Sequence, residues 1–126
     1  MNYLLDTDVI IEILRKNIIH LIKKLKELSR QGNLICYSPV TKAEIYHGLR
    51  PNEENKVANF FSQLECLPVD SEIGEKAGYY LKTYRKSHNL QLGDALIAAT
   101  AFCKKACLFT LNIRHYPMTE IEFYKQ

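Results

Sequence analysis

No C-x-x-C pair occurs among the four cysteines, which stand irregularly at positions 36, 66, 103 and 107. They read as free, mostly buried thiols of a reducing compartment. No apolar run is both long and free of charge, and Asp6 interrupts any signal-like start. Neither a membrane segment nor a secretion signal is expected, and the chain reads as cytoplasmic. No G-x-G-x-x-G follows the first apolar run and no Walker A motif is present, which argues against a nucleotide-cofactor enzyme. Linkers, repeats and low-complexity tracts are missing too, so residues 1–126 read as one domain. What is present suits a globular core: 47% of the residues are apolar. Seventeen basic side chains against fourteen acidic ones give +3, a weak preference for anionic partners.

The pattern alternates short extended runs with helical stretches. Tyr3 to Leu5 is extended, and Asp6-Thr7-Asp8 supplies capping side chains for a helix carrying Val9, Ile10, Ile13 and Leu14. Residues 18–30 repeat the helical spacing, with Ile18, Ile19, Leu21, Ile22, Leu25 and Leu28 on one broad face. "LICYS" (34–38) reads as a strand, and Ser38-Pro39 opens the next helix with a cap and a first-turn proline. "EENKVANFFSQL" and residues 71–87 read as helices, "CLPV" as at best a short strand. Gly93-Asp94 starts "DALIAATAFCKK"; "ACLFTLN" is a further strand, and "MTEIEFYKQ" is a candidate last edge strand. The alternation predicts an α/β fold, a short, mostly parallel central sheet flanked by helices.

Asp6 ends the first strand, Glu44 lies in the second turn after the second, Asp94 opens a later helix, and Asn112 follows "CLFTL". In open α/β sheets ligands bind beyond the carboxyl ends of the strands, where such positions converge. Clustered carboxylates repel unless a cation compensates, and hard divalent cations take oxygen ligands. A metal so held orients water and stabilises charge on a phosphoryl group, pointing to a nuclease or phosphatase rather than an acyl-transfer enzyme. Each residue also has a purely structural reading. Asp6 or Asp8 suits a helix cap, and Thr41-x-x-Glu44 has capping-box spacing, although Ser38 offers an earlier cap. Asp94 suits a first-turn acid and Asn112 a turn.

These motifs resemble those of the PIN-domain family, specifically the VapC-like toxins of toxin–antitoxin pairs. The resemblance rests on "LLDTDVI" (4–10), "SPVTKAEIYHGL" (38–49), "LGDALIAATA" (92–101) and "LFTLNIRHY" (108–116), in order and over nearly the whole chain. It implies a PIN-like three-layer fold and metal-dependent endoribonuclease activity on structured RNA. By resemblance, Asp6, Glu44 and Asp94 hold Mg²⁺ or Mn²⁺, and products carry 5′-phosphate and 3′-hydroxyl ends. Thr7 orients a ligand or a phosphate oxygen, and Thr110 and Asn112 shape the strand end. Many relatives keep a fourth acid where this chain has Asn112, whose amide oxygen can ligate but adds no charge. A cognate antitoxin and a homodimer are implied as well.

Lys23, Lys24 and Lys26 read as a solvated face; Arg114 is the cation expected near substrate, with Lys82, Arg85 and Lys86 as further phosphate contacts. Of the eight tyrosines, Tyr46, Tyr79, Tyr80 and Tyr84 cannot all be core, so some are available for an interface; tryptophan is absent. Three other readings compete. Arg15-x4-His20 resembles the R-x4–6-H pattern of metal-independent, all-helical HEPN ribonucleases. A non-catalytic RNA-binding module would fit a site depleted at Asn112. Phosphatase or DNA flap nuclease action would use the same metal chemistry.

Overall fold

The computed structural model describes residues 1–125. Four strands, β1 (Asn2–Leu5), β2 (Leu34–Tyr37), β3 (Glu65–Cys66) and β4 (Cys107–Phe109), form one sheet in the order β3-β2-β1-β4. Every pairing is parallel, with Leu4 opposite both Cys36 and Leu108. Six helices fill the crossovers: α1 (Thr7–Lys16), α2 (Ile19–Arg30), α3 (Pro39–His47), α4 (Glu54–Ser62), α5 (Ser71–His88) and α6 (Leu92–Cys103). Helices on both faces bury the sheet twice over, as parallel strands require.

Side-chain alternation divides the core. Leu4, Cys36 and Leu108 point to one face and pack with Ile73, Ala77 and Tyr80 of α5 and Ala95, Ala98 and Ala99 of α6. Their neighbours Leu5, Ile35, Tyr37 and Phe109 point the other way, against Val9, Ile10 and Ile13 of α1, Leu21 and Leu25 of α2, Ile45 of α3 and Phe61 of α4. This is the expected three-layer α/β arrangement, with a sheet wholly rather than mostly parallel. Ser38 caps α3 through a 3.1 Å bond from the Val40 N–H, with Pro39 in the first turn, as its sequence predicts.

Several boundaries differ from expectation. The face of α2 is narrower, because Ile18 is only its cap and Ile19 is 63% exposed. Helix α6 starts at Leu92 with Gln91 as cap. The stretch "CLPV" contributes only Cys66 to β3, and Thr110 to Asn112 lie beyond β4. The tail forms no named strand among the described residues; it makes one isolated parallel bridge, Leu108 to Phe123, while Gln126 lies outside them. All four cysteines are free, but only Cys36 and Cys107 are buried. Tyr80 is core, Tyr84 is half-buried, and Tyr46 and Tyr79 are exposed.

Candidate active site

Asp6 is the residue at which β1 becomes α1. Its N–H donates to Phe109 O at 2.9 Å, extending the β1–β4 ladder by one rung, and its side chain caps α1 by accepting from the Thr7 N–H at 2.8 Å. The capping role and the strand-end role therefore fall on the same carboxylate. The second oxygen, Oδ2, accepts from Thr110 Oγ1 and from the Tyr116 hydroxyl, both at 2.8 Å. Burial raises the Asp6 pKa, those three hydrogen bonds lower it, and nearby Asp94 raises it again.

Asp8 lies in the first turn of α1 and faces the same strand end. Its Oδ2 accepts from the Leu111 N–H at 3.1 Å, and its Oδ1 is buried without a hydrogen-bond partner. Burial first, and Asp6 second, push its pKa up to about 6. Thr110 has one proton, which goes to Asp6 at 2.8 Å rather than to Asp8 at 3.3 Å. The Asn112 N–H donates to Thr110 Oγ1 at 3.1 Å, which holds the hydroxyl in that direction.

Glu44, in the second turn of α3, reaches the same end from β2. Thr7 Oγ1 donates to its Oε1 at 2.8 Å, and Thr7 Oγ1 lies 2.9 Å from Thr41 Oγ1. A carboxylate only accepts, so the Thr7 proton goes to Glu44 and Thr41 donates to Thr7. Thr41 is fully buried and serves this relay, not a capping box. Gly93 closes the gap to α6: a Cβ there would meet both Glu44 carboxylate oxygens, at 3.9 and 4.0 Å. Asp94, the next residue, completes a capping box by accepting from the Gln91 N–H at 3.1 Å, and the same Oδ2 lies 2.9 Å from His115 Nε2. The structural reading of Asp94 thus holds alongside its place at the site.

Asp6, Glu44 and Asp94 therefore meet at the carboxyl end of the sheet, joined by Asp8. Their oxygen-only donor set, mutual repulsion and the orphan Asp8 oxygen suit a hard cation. The set is not closed as it stands. Among the described residues no three His, Cys, Asp or Glu side chains form a ready metal-binding group. Glu44 and Asp94 are instead turned to Thr7 and His115.

The remaining expected residues divide. Asn112 is exposed and caps the 3₁₀ turn Ile113–His115 without a side-chain hydrogen bond. Arg114 is exposed, and among the described residues it makes no ion pair. The three-residue link Asn89–Gln91 sets the last turns of α5 beside Asp94, and the Lys104–Asp70 pair at 2.8 Å ties the helices' other ends. Lys82, Arg85 and Lys86 are exposed on those last turns. Arg15 and His20 do not form a pair site. Arg15 donates to Gly48 O at 2.8 Å and lies 3.1 Å from Glu53 Oε1, close enough for an ion pair without hydrogen-bond geometry there. His20 is exposed on α2, and the four-stranded sheet contradicts the all-helical HEPN alternative. Sequence reasoning missed the roles of Tyr116, Thr41 and Asp8. The one local signal was that Thr110, Asn112, His115 and Tyr116 crowd a single turn after a strand.

The model of the PIN domain matches residues 3–120. Ribonuclease VapC10 of Mycobacterium tuberculosis is 37% identical over 118 residues, covering 93% of this chain and 87% of the relative. Ribonuclease VapC19 of the same organism is 34% identical over 116 residues, covering 91% and 92%. In fold, the chain is similar to one in the crystal structure of VapBC2 from Rickettsia felis bound to a promoter DNA fragment. The TM-score is 0.86 with 24% identity, covering 100% of this chain and 99% of that one. With a family match and relatives that both span nearly the full length, the chain belongs to the PIN-domain family.

Proposed function

We propose that residues 1–126 act as one PIN domain, a metal-dependent endoribonuclease and the toxin of a toxin–antitoxin pair. The observation that carries this reading is the meeting of Asp6, Glu44 and Asp94 at one end of a parallel sheet, in a chain whose relatives are named ribonucleases. Asp6, Glu44 and Asp94 would hold Mg²⁺ or Mn²⁺, which supplies an activated water and offsets charge on the scissile phosphate. The chain's own groups do the rest. Thr110, Tyr116 and the Thr7 N–H orient Asp6; Thr7 Oγ1 orients Glu44; His115 orients Asp94. Exposed Arg114 after β4, together with exposed Lys82, Arg85 and Lys86 on α5, attracts the RNA backbone. Asn112 stands at the rim as an uncharged contact. A structured RNA is the substrate in this reading, and the protein works in the cytoplasm. No described helix is long and apolar enough to cross a membrane.

The solved neighbour is VapBC2 bound to promoter DNA, which supports a cognate antitoxin as partner; in this reading the toxin assembles as a homodimer. Product ends test the chemistry. RNA cut by the purified, antitoxin-free protein should carry 5′-phosphate and 3′-hydroxyl termini, because water attacks phosphorus opposite the 3′ oxygen, whose P–O bond breaks and which leaves as the hydroxyl. A 2′,3′-cyclic phosphate would show attack by the ribose hydroxyl and overturn the mechanism. Preferential cleavage of a phosphomonoester or a DNA flap would overturn the substrate class. One observation favours a second reading, an RNA-binding module: Glu44 and Asp94 are already engaged by protein donors. RNA binding that resists EDTA, with no cleavage, would establish it.

A further inference from the structure

Asp6 is the most tightly held carboxylate at the site, and its two oxygens differ. Oδ2 accepts from both Thr110 Oγ1 and Tyr116 Oη at 2.8 Å, which fills its two lone-pair directions. Oδ1 accepts from the Thr7 N–H alone and keeps one direction open. Tyr116 is 4% exposed, and its ring packs edge-on to His115 with centroids 5.6 Å apart and tilted to Phe123 at 6.2 Å. The ring is thus held independently of its hydroxyl. His115, its neighbour, reaches Asp94. One short turn therefore touches two acids that lie 88 residues apart in the chain (94 − 6).

We propose that Tyr116 is a positioning residue for a divalent cation, its buried hydroxyl occupying Asp6 Oδ2 so that only Oδ1 is offered. The inference rests on the metal-dependent reading above. It deepens that reading by assigning a tuning role to a tyrosine that touches no ligand itself. Groups behind a metal ligand typically change metal affinity by about 10–100-fold when removed. Tyr80 supplies a matched control. It too is buried, and its hydroxyl donates to a carboxylate, Glu120, which is paired with Lys76 at 3.0 Å outside the site.

The test is a Mn²⁺ titration of the RNA-free full chain, followed by the paramagnetic resonance signal of free Mn²⁺, with Tm in EDTA measured alongside. Tyr116→Phe should weaken Mn²⁺ binding by about 10-fold or more. Tyr80→Phe should lower Tm and leave Mn²⁺ binding at the wild-type value. Thr110→Val removes the other donor to Oδ2 and should weaken binding likewise, whereas Thr110→Ser keeps the hydroxyl and retains it. This pair carries the test if Tyr116→Phe does not fold. Wild-type affinity in a folded Tyr116→Phe would overturn the proposal while leaving the metal reading intact, as would wild-type affinity in Thr110→Val where Tyr116→Phe does not fold. A wild-type protein that binds no Mn²⁺ would overturn both.

Discussion

Replacing Thr7 by valine removes one hydroxyl while keeping a β-branched side chain of the same shape, so it isolates the Thr41–Thr7–Glu44 relay. Thr41 is 0% exposed, and the hydrogen bond of its hydroxyl is the 2.9 Å contact to Thr7. In Thr7→Val that hydroxyl stays desolvated and loses its partner, an outcome that destabilises by about 1–3 kcal/mol. The Thr7–Glu44 bond adds little, because Glu44 is exposed and water replaces the lost donor. For a chain of this size about 2 kcal/mol corresponds to a Tm fall of roughly 6–12 °C. Thr41→Val removes the buried hydroxyl itself and leaves half-buried Thr7 able to reach water, so it should be close to neutral. The two changes must then couple. Thr7→Val made in the Thr41→Val background should cost less than about 0.5 kcal/mol, a coupling of about 1–2 kcal/mol. Urea unfolding of all four proteins in EDTA measures this directly. Equal costs of Thr7→Val in both backgrounds would refute the relay.

Gly93→Ala should separate stability from activity. Its Cβ would meet Val40 Cγ1 at 3.6 Å and the Glu44 oxygens at 3.9 and 4.0 Å, ordinary contacts, so Tm should hold or rise, with up to about 1 kcal/mol from the lost glycine entropy. The methyl group fills space beside the Glu44 oxygens, however, and would restrict their turning toward a cation, so RNA cleavage should fall by roughly tenfold; unchanged cleavage would place Gly93 outside the working site. Asp8→Asn should change the pH dependence of stability in EDTA. The folded pKa of Asp8 is raised from 3.8 to about 6, so the folded chain keeps a proton there that the unfolded chain has released. That contribution is complete below pH 3.8 and is lost as pH rises through about 6. Its size is at most about 3 kcal/mol and less after solvent screening. The variant should therefore gain on the wild type between pH 4 and pH 7, as Tm measured across that range would show; a constant gap would rule out Asp8 as the titrating group.

Local signals carried the sequence reading where the structure is local. Ser38 and Pro39 begin a helix because a hydroxyl cap and a fixed φ suffice, whatever lies elsewhere in the chain. Asp6, Glu44 and Asp94 stood at element ends, and a parallel sheet brings such ends together by its topology. Each was ambiguous between cap and site, and the structure shows Asp6 and Asp94 both capping a helix while they stand at the carboxyl end of the sheet. What stayed hidden depends on long-range contact. Tyr116 reaches Asp6, His115 reaches Asp94, and Thr41 reaches Thr7 only after the sheet closes. Hydrophobic spacing also made α2 too broad, because periodicity marks a face but not how much of it a neighbour covers, and Ile19 lies beyond that cover. Asp8 looked like a spare cap, yet the turn after β4 gives it the Leu111 N–H and leaves its other oxygen alone.

In the proposed function, the acids at the sheet's carboxyl end cut RNA by way of a divalent cation. The measurement that tests it most directly is cleavage of total cellular RNA by the purified, antitoxin-free chain in Mg²⁺, in Mn²⁺ and in EDTA, beside Asp6→Asn and Asp94→Asn. Discrete products are expected with either metal and none in EDTA, with a loss of at least about 100-fold in each variant, as when a group that stabilises transition-state charge is removed. Cleavage that persists in EDTA, or that survives both substitutions, would contradict it.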